Sequence, residues 1–159
     1  MRMAILVGLQ ASGKSTFRRR YFDDAYIVVS KDNFRNNRRP AQRQENLIRE
    51  ALGAGKPVVV DNTNPRTEDR AALIQLAREF GVPAIGYLMR STVEDALVRN
   101  ARRQGRERVP DVGIYSTAKA FVAPCWPEGF DELYEVTWDV NDRYLVNPMP
   151  RNPNEDRRS

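Results

Sequence analysis

The chain contains no histidine, a single cysteine and no apolar run of membrane-spanning length, and each shortage removes a class of chemistry. Without histidine there is no imidazole base, no His-based triad and no His metal ligand, so Lys, Arg, carboxylates and hydroxyls must carry any reaction. Cys125 has no partner for an internal disulfide, which fits a reducing compartment, and a lone cysteine is expected as a small buried apolar residue. Arg2 followed by Ala4-Ile5-Leu6-Val7 loosely imitates a secretory leader, but the apolar part is too short and runs straight into a glycine loop. The expectation is a cytoplasmic protein. No internal repeat is visible, and 159 residues are enough for one domain with its own core.

What the chain does have is a modest excess of positive charge, 26 Lys and Arg against 21 Asp and Glu, for a net +5. That is low for a DNA-binding protein but suits an anionic substrate; scattered arginines on solvated faces would produce the same total.

The organising stretch is Gly8-Leu9-Gln10-Ala11-Ser12-Gly13-Lys14-Ser15, which fits the phosphate-binding loop pattern G-x-x-x-x-G-K-[S/T]. A strand-length apolar run, Met3 to Val7, precedes it, and Thr16 to Tyr21 can continue as helix. Gly8 and Gly13 permit the turn, and the backbone N–H groups from Gln10, Ala11 and Ser12 through Thr16 can meet phosphate oxygens at the helix N-terminus. Lys14 is expected to reach the β and γ phosphates of a nucleoside triphosphate, and Ser15 to offer its hydroxyl to Mg²⁺.

Downstream, apolar segments alternate between strand and helix lengths. Strands are expected at 25–29, 57–60, 84–89 and 134–138. Helices are expected around Leu47 to Leu52, around Leu73 to Phe80, after a Ser91/Glu94 capping box, and over Ile114 to Val122. This order predicts an α/β fold of the P-loop NTPase type, a parallel sheet of about five strands with helices on both faces. Residues 1–140 would form the domain, and the Asn/Pro/Arg-rich segment 141–159 a loosely held tail with little to bury.

The strand ends carry the candidate chemistry. Asp32, after the second strand, is placed either to orient an acceptor hydroxyl and take its proton, or to cap the turn at Asn33-Phe34. Asp61, after the third strand, suits Mg²⁺ organisation, an Asx turn in Asp-Asn-Thr-Asn, or both together. Arg99 and Arg103, four apart beside the charged segment Gln104 to Arg108, suit a short phosphate-closing lid or a helix end that complements its dipole. Arg38, Arg39 and Arg43 would track a strand backbone or simply face solvent.

Taken together, G-L-Q-A-S-G-K-S-T from Gly8, S-K-D-N-F-R from Ser30, D-N-T-N-P from Asp61 and R-N-A-R-R from Arg99 resemble the kinase domain of polynucleotide 5′-hydroxyl kinases. Val109-Pro110 and Phe121 to Phe130 resemble the kinase half of the DNA-end-healing polynucleotide kinase/phosphatases. The resemblance implies a Mg²⁺- and ATP-dependent phosphotransferase acting on 5′-OH ends of DNA or RNA. It implies that Asp32 is the general base, that Arg35 grips the acceptor phosphate next to the reacting nucleoside, and that Arg103 with Arg99 closes over the donor phosphates; Thr63 and Arg38 are further candidates for acceptor contacts. Lys31-Asp32-Asn33 departs from the usual Arg-Asp-Asp or Arg-Asp-Thr. No Asp-x-Asp-x-Thr phosphatase motif occurs in the chain, so 5′ phosphorylation without 3′ dephosphorylation is expected. The other readings of the same loop are a kinase of a small hydroxyl compound, such as a nucleoside, sugar or antibiotic, and a nucleotide-dependent switch.

Overall fold

Burial decides where strands form. Met3–Val7 (β1), Val58–Asp61 (β3) and Ala84–Met89 (β4) are apolar almost without interruption because both of their faces are covered. In the computed structural model, which describes residues 1–22, 24–139, 141 and 143–154, these three strands form the centre of a six-stranded sheet. The order is β2-β3-β1-β4-β5-β6, where β2 is Ile27–Val29, β5 is Glu132–Trp138 and β6 is Tyr144–Pro148. All pairs are parallel except the last, in which β6 runs antiparallel to β5 with Val136 opposite Val146.

Helices pack on both faces, as the alternation in β1 requires. Met3, Ile5 and Val7 point to the face covered by α2 (Pro40–Gly53) and α3 (Thr67–Glu79), where they meet Ile48, Leu52, Leu73 and Ala77. Ala4 and Leu6 point the other way, toward Phe17 of α1 (Lys14–Tyr21). There Phe17 contacts the rings of Tyr21, Phe22, Tyr87 and Tyr144. The helices α4 (Val93–Ala101) and α5 (Asp111–Ala120) pack on each other through Ala96 and Ile114 and cover Leu9. Among the described residues, no helix is long and apolar enough to cross a membrane.

Four expectations are corrected. The sheet has six strands because Tyr144–Pro148, expected within a loose tail, pairs as an edge strand. Cys125 is exposed rather than buried, because it stands at the start of the short 3₁₀ turn Trp126–Glu128, in the loop between α5 and β5. The cap of α4 is Thr92, whose Oγ1 accepts from Asp95 N at 3.1 Å, one residue later than Ser91/Glu94. α5 starts at Asp111, right after Pro110, and ends at Ala120. Residues 155–159 of the expected tail lie outside the described residues.

Candidate active site

Strands β2 and β3 lie on one side of β1, and β4 and β5 on the other, so the chain changes direction at β1 and opens a crevice beyond its C-terminal end. The glycine loop fills that crevice. Ala11 (φ 59°) and Gly13 (φ 91°) adopt left-handed backbone, and Gly8 N donates to Thr63 O at 3.0 Å, which ties the loop to the end of β3. A positive φ at a non-glycine residue costs about 1 kcal/mol or more, and such strain persists where surrounding structure over-determines it. A Cβ on Gly13 would lie 2.3 Å from Trp138 Cζ2, so glycine is required both for its backbone and for its lack of a side chain.

Lys14 is buried and folds its ammonium back over the loop, donating to Leu9 O at 2.6 Å, Gly8 O at 3.0 Å and Ser12 Oγ at 3.4 Å. Burial lowers its pKa from 10.5 to about 8. The charge of Asp61 opposes that shift, Arg103 reinforces it, and Asp32 opposes it more weakly. All three charges therefore act on one ammonium. Lys14, Asp32 and Asp61 come from three different elements and Arg103 from the segment after α4, and the sheet gathers them at one rim.

Ser15 Oγ donates to Asp61 Oδ2 at 2.9 Å, and Arg18 Nε donates to the same oxygen at 3.0 Å. Hence Asp61 bonds to α1 across the crevice and does not close an Asx turn of its own. This pair of hard oxygens beside the loop fits Mg²⁺, which takes one or two protein ligands and completes its shell with phosphate and water. No cluster of three or more His, Cys, Asp or Glu that could hold a metal occurs among the described residues, so triphosphate oxygens would have to complete the site. The backbone cradle of the loop fits those phosphates equally.

Asp32 sits in a 3₁₀ turn, Lys31–Phe34, capped by Ser30, whose Oγ accepts from Asp32 N at 3.3 Å. Ser30 is therefore the cap, and the Asp32 carboxylate is left 78% exposed, with Arg35 Nη2 at 3.6 Å from its Oδ1. Asn62 fixes this turn from β3: its Oδ1 accepts from Lys31 N at 2.9 Å and its Nδ2 donates to Gln44 Oε1 at 2.6 Å. Asp32, Phe34 and Arg35 line an open cavity of about 530 Å³, to which Arg106 also contributes. Thr63 meets the loop only through its carbonyl, and Arg38 is exposed outside the cavity lining.

The arginine pair does not share one helix face. Arg99 lies on α4, whereas Arg103 lies two residues past its end and donates through Nη1 to Glu107 O at 3.2 Å. Arg99 lies over the Trp138 ring, 4.5 Å from its centroid, and the same ring covers Gly13. Buried Nη1 of Arg99 and Nε1 of Trp138 have no hydrogen-bond partner among the described residues. Gln10, expected at the nucleotide, turns its side chain to α5 and donates to Thr117 Oγ1 at 2.9 Å, leaving its backbone for the loop.

Several site residues escaped the sequence reading. Arg18 lies one helical turn beyond Ser15, a spacing that would have suggested it. Trp138, Tyr144 and Arg106 carried no local signal. Tyr144 OH reaches Gly13 O at 3.2 Å, so the sixth strand touches the phosphate loop.

The AAA domain family matches residues 3–121. The chain is 29% identical over 153 residues to a protein named putative bifunctional polynucleotide phosphatase/kinase from Acanthamoeba polyphaga mimivirus, covering 92% of this chain and 35% of that one. It is 31% identical over 140 residues to the bifunctional polynucleotide phosphatase/kinase of Schizosaccharomyces pombe, covering 84% of this chain and 33% of that one. The chain thus spans about a third of the length of each of these relatives. The crystal structure of Chaetomium thermophilum Kti12 in complex with ADP-AlF3 superposes with a TM-score of 0.68 at 16% identity, over 98% of this chain and 94% of that one, which shows the shared fold. With its phosphate loop in place and most of its length matched, this chain belongs to the AAA domain family and is a P-loop domain of the kinase type.

Proposed function

We propose that this chain transfers the γ phosphate of Mg-ATP to the 5′-OH end of a DNA or RNA strand, without hydrolysing 3′ phosphates. One observation carries the reading: the adjacent residues Asn62 and Thr63 tie the Asp32 turn and the phosphate loop to the same strand end, and the exposed Asp32 carboxylate also lines an open, arginine-bearing cavity. A kinase needs that bridge between a donor cradle and an acceptor chamber. The names and similarity of the two curated relatives support a polynucleotide as the acceptor.

In this reading, the loop N–H groups and Lys14 hold the β and γ phosphates, and Arg103 neutralises charge that spreads over the transferring group. Ser15 and Asp61 would hold Mg²⁺, with Arg18 orienting the Asp61 carboxylate. When bound, the ion supplies charge compensation between the two phosphates. Asp32 accepts a hydrogen bond from the acceptor hydroxyl and takes its proton as the new O–P bond forms and the bridging P–O bond to ADP breaks. Arg35, beside Asp32, holds the adjacent acceptor phosphate. The absence of an Asp-x-Asp-x-Thr motif supports limiting the reading to 5′ phosphorylation.

Label transfer from γ-labelled ATP to a 5′-OH oligonucleotide tests this. Wild type is expected to label the strand and leave a 3′ phosphate on a second oligonucleotide untouched. Asp32→Asn is expected to label at least about 100-fold more slowly with ATP binding retained, in line with loss of a general base. Equal labelling by both proteins would remove Asp32 from its role, and phosphate release without labelled strand would remove the kinase reading itself.

A further inference from the structure

The cavity next to Asp32 is larger and chemically more varied than a hydroxyl and one phosphate require. Its volume, about 530 Å³, lies within the range of small-ligand sites. Phe34 contributes a half-buried ring, held in place because the Lys31–Phe34 turn is capped by Ser30 and pinned by Asn62. Arg106, exposed on the 3₁₀ turn Gly105–Glu107 that follows α4, brings a guanidinium to the same lining. Asn33 and Asn36 add carboxamides, which can both donate and accept hydrogen bonds. An aromatic ring, a planar cation and carboxamides in one lining are chemistry suited to a nucleobase rather than to a phosphate or a sugar alone.

Resting on the polynucleotide reading above, the geometry points to this cavity as the seat of the acceptor's own 5′-terminal nucleobase, stacked on Phe34 and covered by Arg106. The 5′-OH then faces Asp32, and the following phosphate faces Arg35. A base inserted here cannot stay stacked and paired in a duplex, so the chain takes unpaired 5′ ends. Amides that can serve either edge of a base make the seat tolerant of sequence, since every base offers a π face.

The test compares single-stranded acceptors that carry either an ordinary or an abasic 5′-terminal residue, with wild type, Phe34→Ala, Phe34→Trp and Arg106→Ala. For wild type, the abasic end is expected to raise the acceptor KM roughly 5- to 100-fold while kcat at saturation stays within about threefold. Phe34→Ala should raise the KM of the ordinary acceptor by a similar factor and lose most of the distinction between the two ends. Phe34→Trp should restore it, and the KM for ATP should not move in any variant. An acceptor whose 5′ end is recessed in a duplex should be poorer than one with an overhang. The wild-type comparison needs no substitution, so a variant that fails to fold does not blunt the test. Equal KM values for the two ends, or Phe34→Ala and abasic penalties that simply multiply, would overturn the base seat while leaving the kinase intact. No transfer to any strand would overturn both.

Discussion

At the residue scale, Lys14 carries the sharpest consequence because two equilibria pull on it in opposite directions. Burial lowers its pKa to about 8 in the folded chain, whereas in the unfolded chain it keeps its proton up to about 10.5. Between those values the unfolded state binds more protons, so the ligand-free fold gains stability from this lysine as pH rises from about 8 to 10.5, on the order of 3 kcal/mol when complete. Nucleotide binding needs the charged form and should weaken over the same interval. Urea unfolding of ligand-free wild type and Lys14→Met at stepped pH reads the first effect: the rise should be present in wild type and flattened in the variant. Nucleotide titrations of wild type read the second, with affinity falling above pH 8. Parallel pH profiles for the two proteins would mean that the ammonium is better solvated than its contacts with Leu9 O and Gly8 O imply.

At the element scale, the piece that holds the rim together is a buried arginine rather than a helix or strand. Arg70 of α3 is fully buried, with Nε 2.7 Å from Glu128 Oε1, Nη2 3.0 Å from Glu128 Oε2, and Nη1 donating to Asn64 O at 3.0 Å and Val122 O at 2.8 Å. Asn64, in turn, takes a left-handed backbone (φ 46°) and donates through Nδ2 to Leu6 O at 2.8 Å. One guanidinium therefore fastens the Asp61–Asn64 turn to the segment between α5 and β5. Arg70→Met strands the Glu128 carboxylate and two carbonyls, and should cost about 3–5 kcal/mol in urea unfolding. A loss below about 1 kcal/mol would mean that water replaces the guanidinium. Little of this strut was legible in the sequence, where Arg70 reads as a solvated helical charge. The central strands were legible because full burial makes them continuously apolar, and the order of Gly8–Ser15, Asp32 and Asp61 was legible because α/β sheets deliver polar residues at strand ends. The sixth strand was not: of Tyr144–Pro148 only Tyr144 is buried, and an edge strand is held by backbone pairing that leaves no apolar pattern. Trp138 over Gly13 was hidden for another reason, since their meeting depends on strand order and not on any local feature.

At the scale of the whole molecule, the question is whether the net charge of +5 serves the binding of an anionic strand. Arg35 and Arg106 are exposed at the cavity, and Arg38, Arg39 and Arg43 follow along the chain, all exposed and ending within α2. Among the described residues, Arg35 alone of these has a carboxylate within ion-pair distance, and that carboxylate is Asp32 itself, 3.6 Å away. If the arginines beyond the cavity track a strand backbone, each phosphate they neutralise releases condensed counterion, and acceptor binding weakens with salt by about 0.7 in log–log slope per contact on a single strand. Acceptor KM measured at saturating ATP from low to moderate salt should therefore rise steeply for a long oligonucleotide and less steeply for a dinucleotide that reaches only Arg35. Replacing Arg38 and Arg43 together by alanine should flatten the long-strand slope by up to about 1.4 and leave the dinucleotide slope unchanged. An unaltered long-strand slope would assign those arginines to solvent, confining acceptor recognition to the cavity and its first phosphate. A slope that flattens equally for both acceptors would instead mean that the substitutions disturb the 3₁₀ turn carrying Asp32, because α2 packs against that turn through Gln44 and Asn62.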